Sequence, residues 1–218
     1  MDRKERCKIR KNEIKKQYIE CAAKILRSEG QAAVTIRNLG SQLGHNSATL
    51  YSYFKDLDEL MTYVAFKFRR EYLLELSKMI TSDMSATQQY IKLYEIYCEY
   101  SFSYPYLFLN MYFGLYSKQL KTIFDQYYDL FPEEYVGQAD VVNVLLSQAD
   151  TYKGDQEALM YLAKDGVVKR EEIEFLSKVI VRVHASYMYE LLHNPGLSIT
   201  IARKEFMDYL LHILQLDS

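Results

Sequence analysis

Glycine and proline are scarce in this chain. The 8 glycines and 3 prolines make about 5% of 218 residues, against a usual ~12%. So few breakers argue against an all-β sandwich, which needs a turn every 8–12 residues. Cysteine is scarcer still. Cys7, Cys21 and Cys98 cannot form a disulfide framework and lack metal-ligand spacing. A reducing cytosol suits them best, so a cytoplasmic protein is expected. The amino terminus, MDRKERCKIRKNEIKK, is charged throughout and has no apolar stretch of the kind a secretory signal carries. One uncharged run, Tyr100 to Ser117, reaches the length at which a membrane span becomes possible. It also holds Ser101, Ser103, Pro105, Asn110, Ser117 and five tyrosines, which fit a buried, partly polar helix better. The 49% apolar content argues against disorder. The length suffices for one large domain, or a small and a medium one, with a core that needs no staples.

Net charge is −2 overall, but it is unevenly divided. Residues 1–55 carry twelve Lys/Arg and five Asp/Glu, a balance of +7, which leaves −9 on the remainder. A basic quarter on an acidic body fits a polyanion-binding head, and equally a solvated basic first helix.

The chain reads as helix after helix. Ile14, Tyr18, Cys21/Ala22 and Ile25/Leu26 recur at helical spacing, and Gly30 is placed to end that helix. Thr35 is a good N-cap for a second helix, with Gly44 as its terminator. Asn46 can cap a third, short helix from Ser47 to about Tyr53. Asp56-Leu-Asp-Glu59 reads as a capping box that opens a long fourth helix running to Met79/Ile80. Further helices are expected over 86–103, from Pro105 to about Gln119, and within Lys121 to Gly137. Residues 139–149 fit a strand or a buried helix. Asp155 is expected to cap a short helix closed by Gly166. Two strong helices end the chain, from about Arg170 to His193 and from about Ser198 to Leu216.

A helix, a tight turn with glycine and a short helix make the helix-turn-helix pattern. Leu39, Leu43 and Leu50 can bury against the first helix, while Ser47, Ala48 and Thr49 stand at the end where a major-groove reader meets bases. The stretch Thr35-Ile-Arg-x-Leu-Gly-x-x-Leu-Gly-x-Asn-x-Ala-Thr-Leu-Tyr-x-Tyr-Phe-Lys-Asp-x-Asp-Glu-Leu60 resembles the DNA-binding segment of TetR-family transcriptional regulators. The preceding Ile-x-x-Ala-Ala23-x-x-Leu26-x-x-x-Gly30 matches that family's first helix, and the resemblance covers roughly residues 10–62. It implies an all-α homodimer. Each chain would have a helix-turn-helix DNA-binding domain (1–55) and a larger effector-binding and dimerisation domain (56–218). The partners implied are double-stranded operator DNA, a second copy and a small-molecule effector, with no membrane. By position, Arg37, Ser47, Ala48 and Thr49 are expected to contact bases. Thr35, Tyr51, Tyr53 and Lys55 are expected to contact phosphates. Arg3, Lys4, Arg6 and Lys8 form a possible flexible arm. Phe54 is expected in the core.

Three residues depart from the family pattern. Gly40 stands where Ala is usual, and glycine within a helix costs about 1 kcal/mol. His45 stands where a small aliphatic residue packs, so a looser turn or an exposed ring is expected. Leu57 replaces the usual Lys, which removes one phosphate contact.

Between Thr87 and Tyr135 lie eleven Tyr and five Phe. Tyr90, Tyr94 and Tyr97 share a helix face, as do Tyr104, Phe108, Tyr112 and Tyr116. These seven are candidate effector-pocket residues, with plain core as the alternative. A buried tyrosine needs a partner for its hydroxyl, which suits an apolar cavity with a few polar anchors. A planar or lipophilic ligand fits, and so does a cation, which tyrosine faces attract. Glu95 and Glu99 lie nearby in sequence. His184, His193 and His212 lack the close pairing of a zinc site, so no metal and no cofactor are expected. Ile180, Val183, Tyr187, Leu191, Phe206, Leu210 and Ile213 form apolar stripes on the last two helices. The resemblance points to a four-helix dimer interface there, and an internal helix pair is the alternative.

The function expected is a ligand-responsive, sequence-specific DNA-binding regulator, a repressor released from its operator by a small apolar or aromatic effector. The alternatives are a regulator-like sensor or scaffold without DNA binding, and a helical enzyme. No Gly-rich phosphate loop, G-x-S-x-G or H-E-x-x-H occurs in the sequence, and a non-enzyme is expected.

Overall fold

A computed structural model describes residues 2–134 and 150–216, and the described residues contain no strand. The ambiguous stretch 139–149, and Gly137, lie outside them. Nine α-helices are described: α1 (Arg3–Glu29), α2 (Ile36–Leu43), α3 (Leu57–Met79), α4 (Ala86–Ser103), α5 (Pro105–Phe113), α6 (Leu120–Leu130), α7 (Thr151–Lys164), α8 (Ile173–His193) and α9 (Ile199–Ile213). A 3-10 segment, Ser47–Ser52, lies between α2 and α3. No helix among the described residues is long and apolar enough to cross a membrane.

Local chemistry sets the first boundaries. Thr35 Oγ1 accepts from Asn38 N at 3.1 Å and starts α2. Gly44 ends it in the left-handed region at φ 67°. Asn46 Oδ1 accepts from Ala48 N at 2.9 Å, and Asp56 Oδ1 accepts from Glu59 N at 2.8 Å. The Glu59 carboxylate reaches back to Lys55 N, one residue before the cap itself. Three expectations need correction. The first helix begins at Arg3, so Arg3, Lys4, Arg6 and Lys8 are helical and form no flexible arm. The helix opened by Pro105 stops at Phe113, so Tyr104, Phe108, Tyr112 and Tyr116 do not share one helix. The cap of α7 is Asp150, whose carboxylate accepts from Tyr152 N and Lys153 N, and Asp155 is buried inside the helix.

In the head, Tyr18, Ile19, Ala22 and Leu26 of α1 pack with Leu39, Leu50 and Phe54, which is buried. The long α3 packs on α1, α4, α5 and α6, with α5 meeting its first turn through Tyr106 and Asn110 on Asp58. Helices α4, α5, α7, α8 and α9 complete the second layer, with α8 against α5, α7 and α9.

Gly40 has a reason that its sequence context hides. A Cβ there would stand 2.8 Å from the His45 carbonyl oxygen. His45 N also donates to the Gly40 carbonyl at 2.8 Å. The turn folds back onto α2 so closely that only glycine leaves room. His45 is neither loose nor free: its Nδ1 lies 3.1 Å from the Tyr18 hydroxyl, which pins the turn to α1.

Candidate nucleic-acid interface and ligand chamber

The head presents Thr35, Arg37, Ser47 and Ala48 exposed, with Thr49 half-buried. Tyr51 is 58% exposed, more than a core tyrosine would be. Tyr53 is half-buried, and its ring stands 6.1 Å from that of Tyr18. The Ser47–Ser52 segment is a 3-10 helix, so its side chains at i and i+3 eclipse more than in an α-helix. Lys55 turns toward the connection between α5 and α6. Its Nζ lies 5.3 Å over the Tyr116 ring and donates to Gln119 Oε1 at 3.3 Å. Leu57 is half-buried against the core.

A pocket lies in the helical body where α3, α4, α5 and α7 meet. It is a small chamber of about 40 Å³, walled by Arg69, Tyr72, Tyr94, Tyr97, Tyr112 and Asp155 among others. Such a space holds a few waters or a group of a few heavy atoms. Asp155 is 6% exposed. Its Oδ1 accepts from the Tyr90 hydroxyl at 2.6 Å and the Tyr94 hydroxyl at 2.9 Å. Its Oδ2 is buried with no hydrogen-bond partner. Burial pushes the carboxyl up to about 6, against the lowering effect of the Tyr90, Ser177 and Tyr94 hydroxyls. Burial, followed by the charge of Asp155, holds Tyr90 and Tyr94 well above the usual phenol range. Arg69 is buried on the α3 side beside the hydroxyls of Tyr72 and Tyr112.

Behind the tyrosines, His184 stacks between Tyr97 and Phe102, with ring centroids at 4.5 and 4.9 Å. Burial brings it down to about 3, so the ring is neutral. Ser101 Oγ donates to the Tyr97 carbonyl at 2.7 Å. The 3.0 Å contact between Ser101 Oγ and His184 Nε2 therefore has the histidine as donor. His193 stacks on Tyr189, and His212 is exposed. Among the described residues no group of three or more His, Cys, Asp or Glu is placed to hold a metal ion.

Of the seven tyrosine and phenylalanine candidates, Tyr94, Tyr97 and Tyr112 line the chamber, and Tyr90 reaches it through Asp155. The other three stand elsewhere. Phe108 packs behind Tyr72 and Tyr97, at 6.3 and 5.7 Å. Tyr104 packs edge-on to Phe68 at 4.6 Å. The Tyr116 hydroxyl donates to Asp56 Oδ2 at 2.7 Å, at the start of α3. Glu95 and Glu99 pair with Lys92 and Arg203 on the surface. Sequence reasoning missed Arg69, Tyr72 and Asp155. A signal for Arg69 existed: of the adjacent arginines Arg69 and Arg70, Arg69 falls in the i+4 series Met61, Ala65, Arg69, Leu73, which is otherwise apolar.

The stripes assigned to the dimer interface need a similar correction. Ile180, Tyr187, Phe206 and Leu210 are buried inside their own chain, and Val183, Leu191 and Ile213 are half-buried. The four buried side chains are covered within their own chain, whereas the three half-buried ones keep part of their surface open. The exposed apolar residues of these helices are Phe175, Tyr189, Leu192, Ile199, Ile201 and Tyr209.

No protein-family model and no curated protein matches the sequence. Solved structures do match, over nearly the whole chain. Thermus thermophilus FadR, a TetR-family transcriptional repressor in complex with lauroyl-CoA, is similar at TM-score 0.59 and 12% identity, covering 94% of this chain and 96% of that one. A bacterial regulatory protein in the TetR family from Rhodococcus RHA1 is similar at TM-score 0.55 and 12% identity, covering 94% and 98%. The TetR-family regulator PfmR, also from Thermus thermophilus, is similar at TM-score 0.51 and 16% identity, covering 92% and 98%. The capped helix-turn-helix, the long α3 and the helical body lie in one all-α architecture, and the chain has the fold of the TetR-family transcriptional regulators.

Proposed function

We propose that this protein is a ligand-responsive, sequence-specific DNA-binding regulator of the TetR family that acts as a homodimer. The single observation that carries this reading is the helix-turn-helix with exposed Arg37, Ser47, Ala48 and Tyr51 on a head of charge +7. Arg37 reads a base edge, Ser47, Ala48 and Thr49 enter the major groove, and Thr35, Tyr51 and Tyr53 touch phosphates. Lys55, exposed but resting on Tyr116 and Gln119 in the free protein, is the remaining phosphate candidate. The basic face of α1 adds non-specific attraction. The dimer forms through exposed apolar residues of α8 and α9, Phe175, Tyr189 and Tyr209 among them.

The effector enters the chamber around Asp155 and Arg69. Helix α3 carries the coupling. It starts at Asp56, directly after the recognition segment, and Arg69 and Tyr72 on it form a chamber wall about 20 Å further along. Its first turn is tied to the body by Tyr116 on Asp56 and by Tyr106 and Asn110 on Asp58. A chamber of about 40 Å³ must widen to admit more than the tip of an effector, and widening would tilt α3. DNA favours heads about one helical turn apart, ~34 Å. An effector that binds the tilted state more tightly by a few kcal/mol therefore releases a repressor. The lauroyl-CoA of the Thermus protein raises an acyl-CoA as one occupant. A bare Asp155 oxygen in this chamber opposes an apolar tail and favours a polar group, which moves the reading away from a purely apolar effector.

The test is fluorescence anisotropy of the purified protein on DNA upstream of its own gene and on scrambled DNA, across a salt series. Sequence preference with a steep negative salt slope is expected. Equal, weak binding to both DNAs, and no bound fragments in a genome-wide selection, would refute DNA reading.

A further inference from the structure

One carboxylate oxygen in the chamber wall, Asp155 Oδ2, is buried and accepts no hydrogen bond, although Arg69 lines the same chamber. Asp155 Oδ1 is saturated by Tyr90 and Tyr94, while Oδ2 is buried and bare. The groups that face the carboxyl are hydroxyls, Tyr90 and Tyr94 from α4 and Ser177 from α8. The faces and edges of Tyr94, Tyr97 and Tyr112 enclose the same space. A buried anionic oxygen among aromatic rings is complementary to a cation that also donates hydrogen bonds. Arg69 lines the α3 side of the chamber, beside Tyr72 and Tyr112, so a cation would sit at the Asp155 end, away from that charge.

Size narrows the occupant. The inner chamber admits only a few heavy atoms. It shares Tyr112, Asp150 and Thr151 with an outer groove of about 390 Å³ between α6 and α7. That groove is walled by Leu120 and Tyr152 and carries Lys118, Lys121 and Lys153. A ligand can therefore place a small charged tip inside and its body outside, and the three lysines disfavour a second cation at the far end.

We propose that the effector carries a single primary ammonium group, which enters the chamber tip-first and donates to Asp155 Oδ2, with an uncharged or acidic body in the outer groove. This inference rests on the chamber being the effector site, and the two are separable. Isothermal titration of the full-length protein without DNA, at pH 7.5, uses hexylamine as the probe, with 1-hexanol and hexanoate as neutral and anionic controls. Saturable binding of one hexylammonium per chain is expected, with at least tenfold weaker binding of both controls and of hexylamine to Asp155→Asn. The wild-type protein gives a second reading. Protonating a carboxyl that titrates near 6 should weaken hexylamine about tenfold between pH 7.5 and pH 5. His184 stays neutral over that range and contributes nothing. Absence of saturable hexylamine binding, equal binding of hexanol or hexanoate, or affinity indifferent to both Asp155→Asn and pH would overturn the proposal. If hexylamine binds in this way and leaves DNA affinity unchanged, the effector reading fails and the ammonium site stands. If another compound releases DNA from wild type and Asp155→Asn alike, the ammonium site fails and the regulator stands.

Discussion

The unmatched oxygen of Asp155 should be visible in stability without any ligand. Raising a carboxyl from 3.8 to about 6 means that burial disfavours its charged form by about 3 kcal/mol. The folded state therefore holds a proton more tightly than the unfolded state. The stabilisation from that proton is fully present below pH 3.8 and is lost as pH rises through about 6. Between pH 7.5 and pH 5 the difference comes to about 1.4 kcal/mol in favour of pH 5. Asparagine keeps an oxygen for Tyr90 and Tyr94 and carries no charge, so Asp155→Asn should lack this component. The assay is urea unfolding of wild type and Asp155→Asn at fixed protein concentration, at several pH values from 5 to 8. Other titrating groups cancel in the difference between the two proteins. That difference should shift by about 1.4 kcal/mol across the range, with the variant gaining on wild type as pH rises. A difference independent of pH would refute the assignment of a buried, donor-poor carboxylate.

Other consequences follow from the head and the exposed faces. Gly40→Ala places a Cβ 2.8 Å from a backbone oxygen, so the turn must shift. A loss of about 1–3 kcal/mol of stability together with weaker operator binding is expected in thermal unfolding and anisotropy, and an unchanged melting temperature would count against the tight turn. Arg37→Ala should lower the ratio of operator to scrambled-DNA affinity by about 1–3 kcal/mol, whereas Tyr51→Phe should weaken both DNAs alike. Equal effects of the two variants would remove Arg37 as a base reader. Phe175→Asp, at a side chain 68% exposed, should leave the fold intact and shift sedimentation toward a monomer. A dimer that survives it would place the interface elsewhere.

Much of the head is legible because its determinants are local. The Thr35, Asn46 and Asp56 caps act over two or three residues, and the Gly44 terminator sits one residue past its helix. Even there, the role of Gly40 and the pinning of His45 by Tyr18 escape the sequence, since the second contact spans 27 residues. Aromatic spacing on α4 points to a shared face, but the partner of that face comes from much further along the chain.

The sequence by itself determined the helical class, the order of the main helices, the capped helix-turn-helix and the basic head on an acidic body. These follow from periodicity, short-range hydrogen bonds and composition, which any stretch of chain carries with it. Only the tertiary structure decided where the chamber is. Asp155 looks like a cap in sequence, yet Asp150 caps α7 and Asp155 meets Tyr90 and Tyr94 across 65 and 61 residues. The same holds for the last two helices. Their stripes are apolar on more than one side, and packing against α4, α5 and α7 decided that Ile180 and Phe206 go inward while Phe175 and Tyr209 face out. Amphipathic spacing says that a face will be covered; which neighbour covers it is settled when the helices pack.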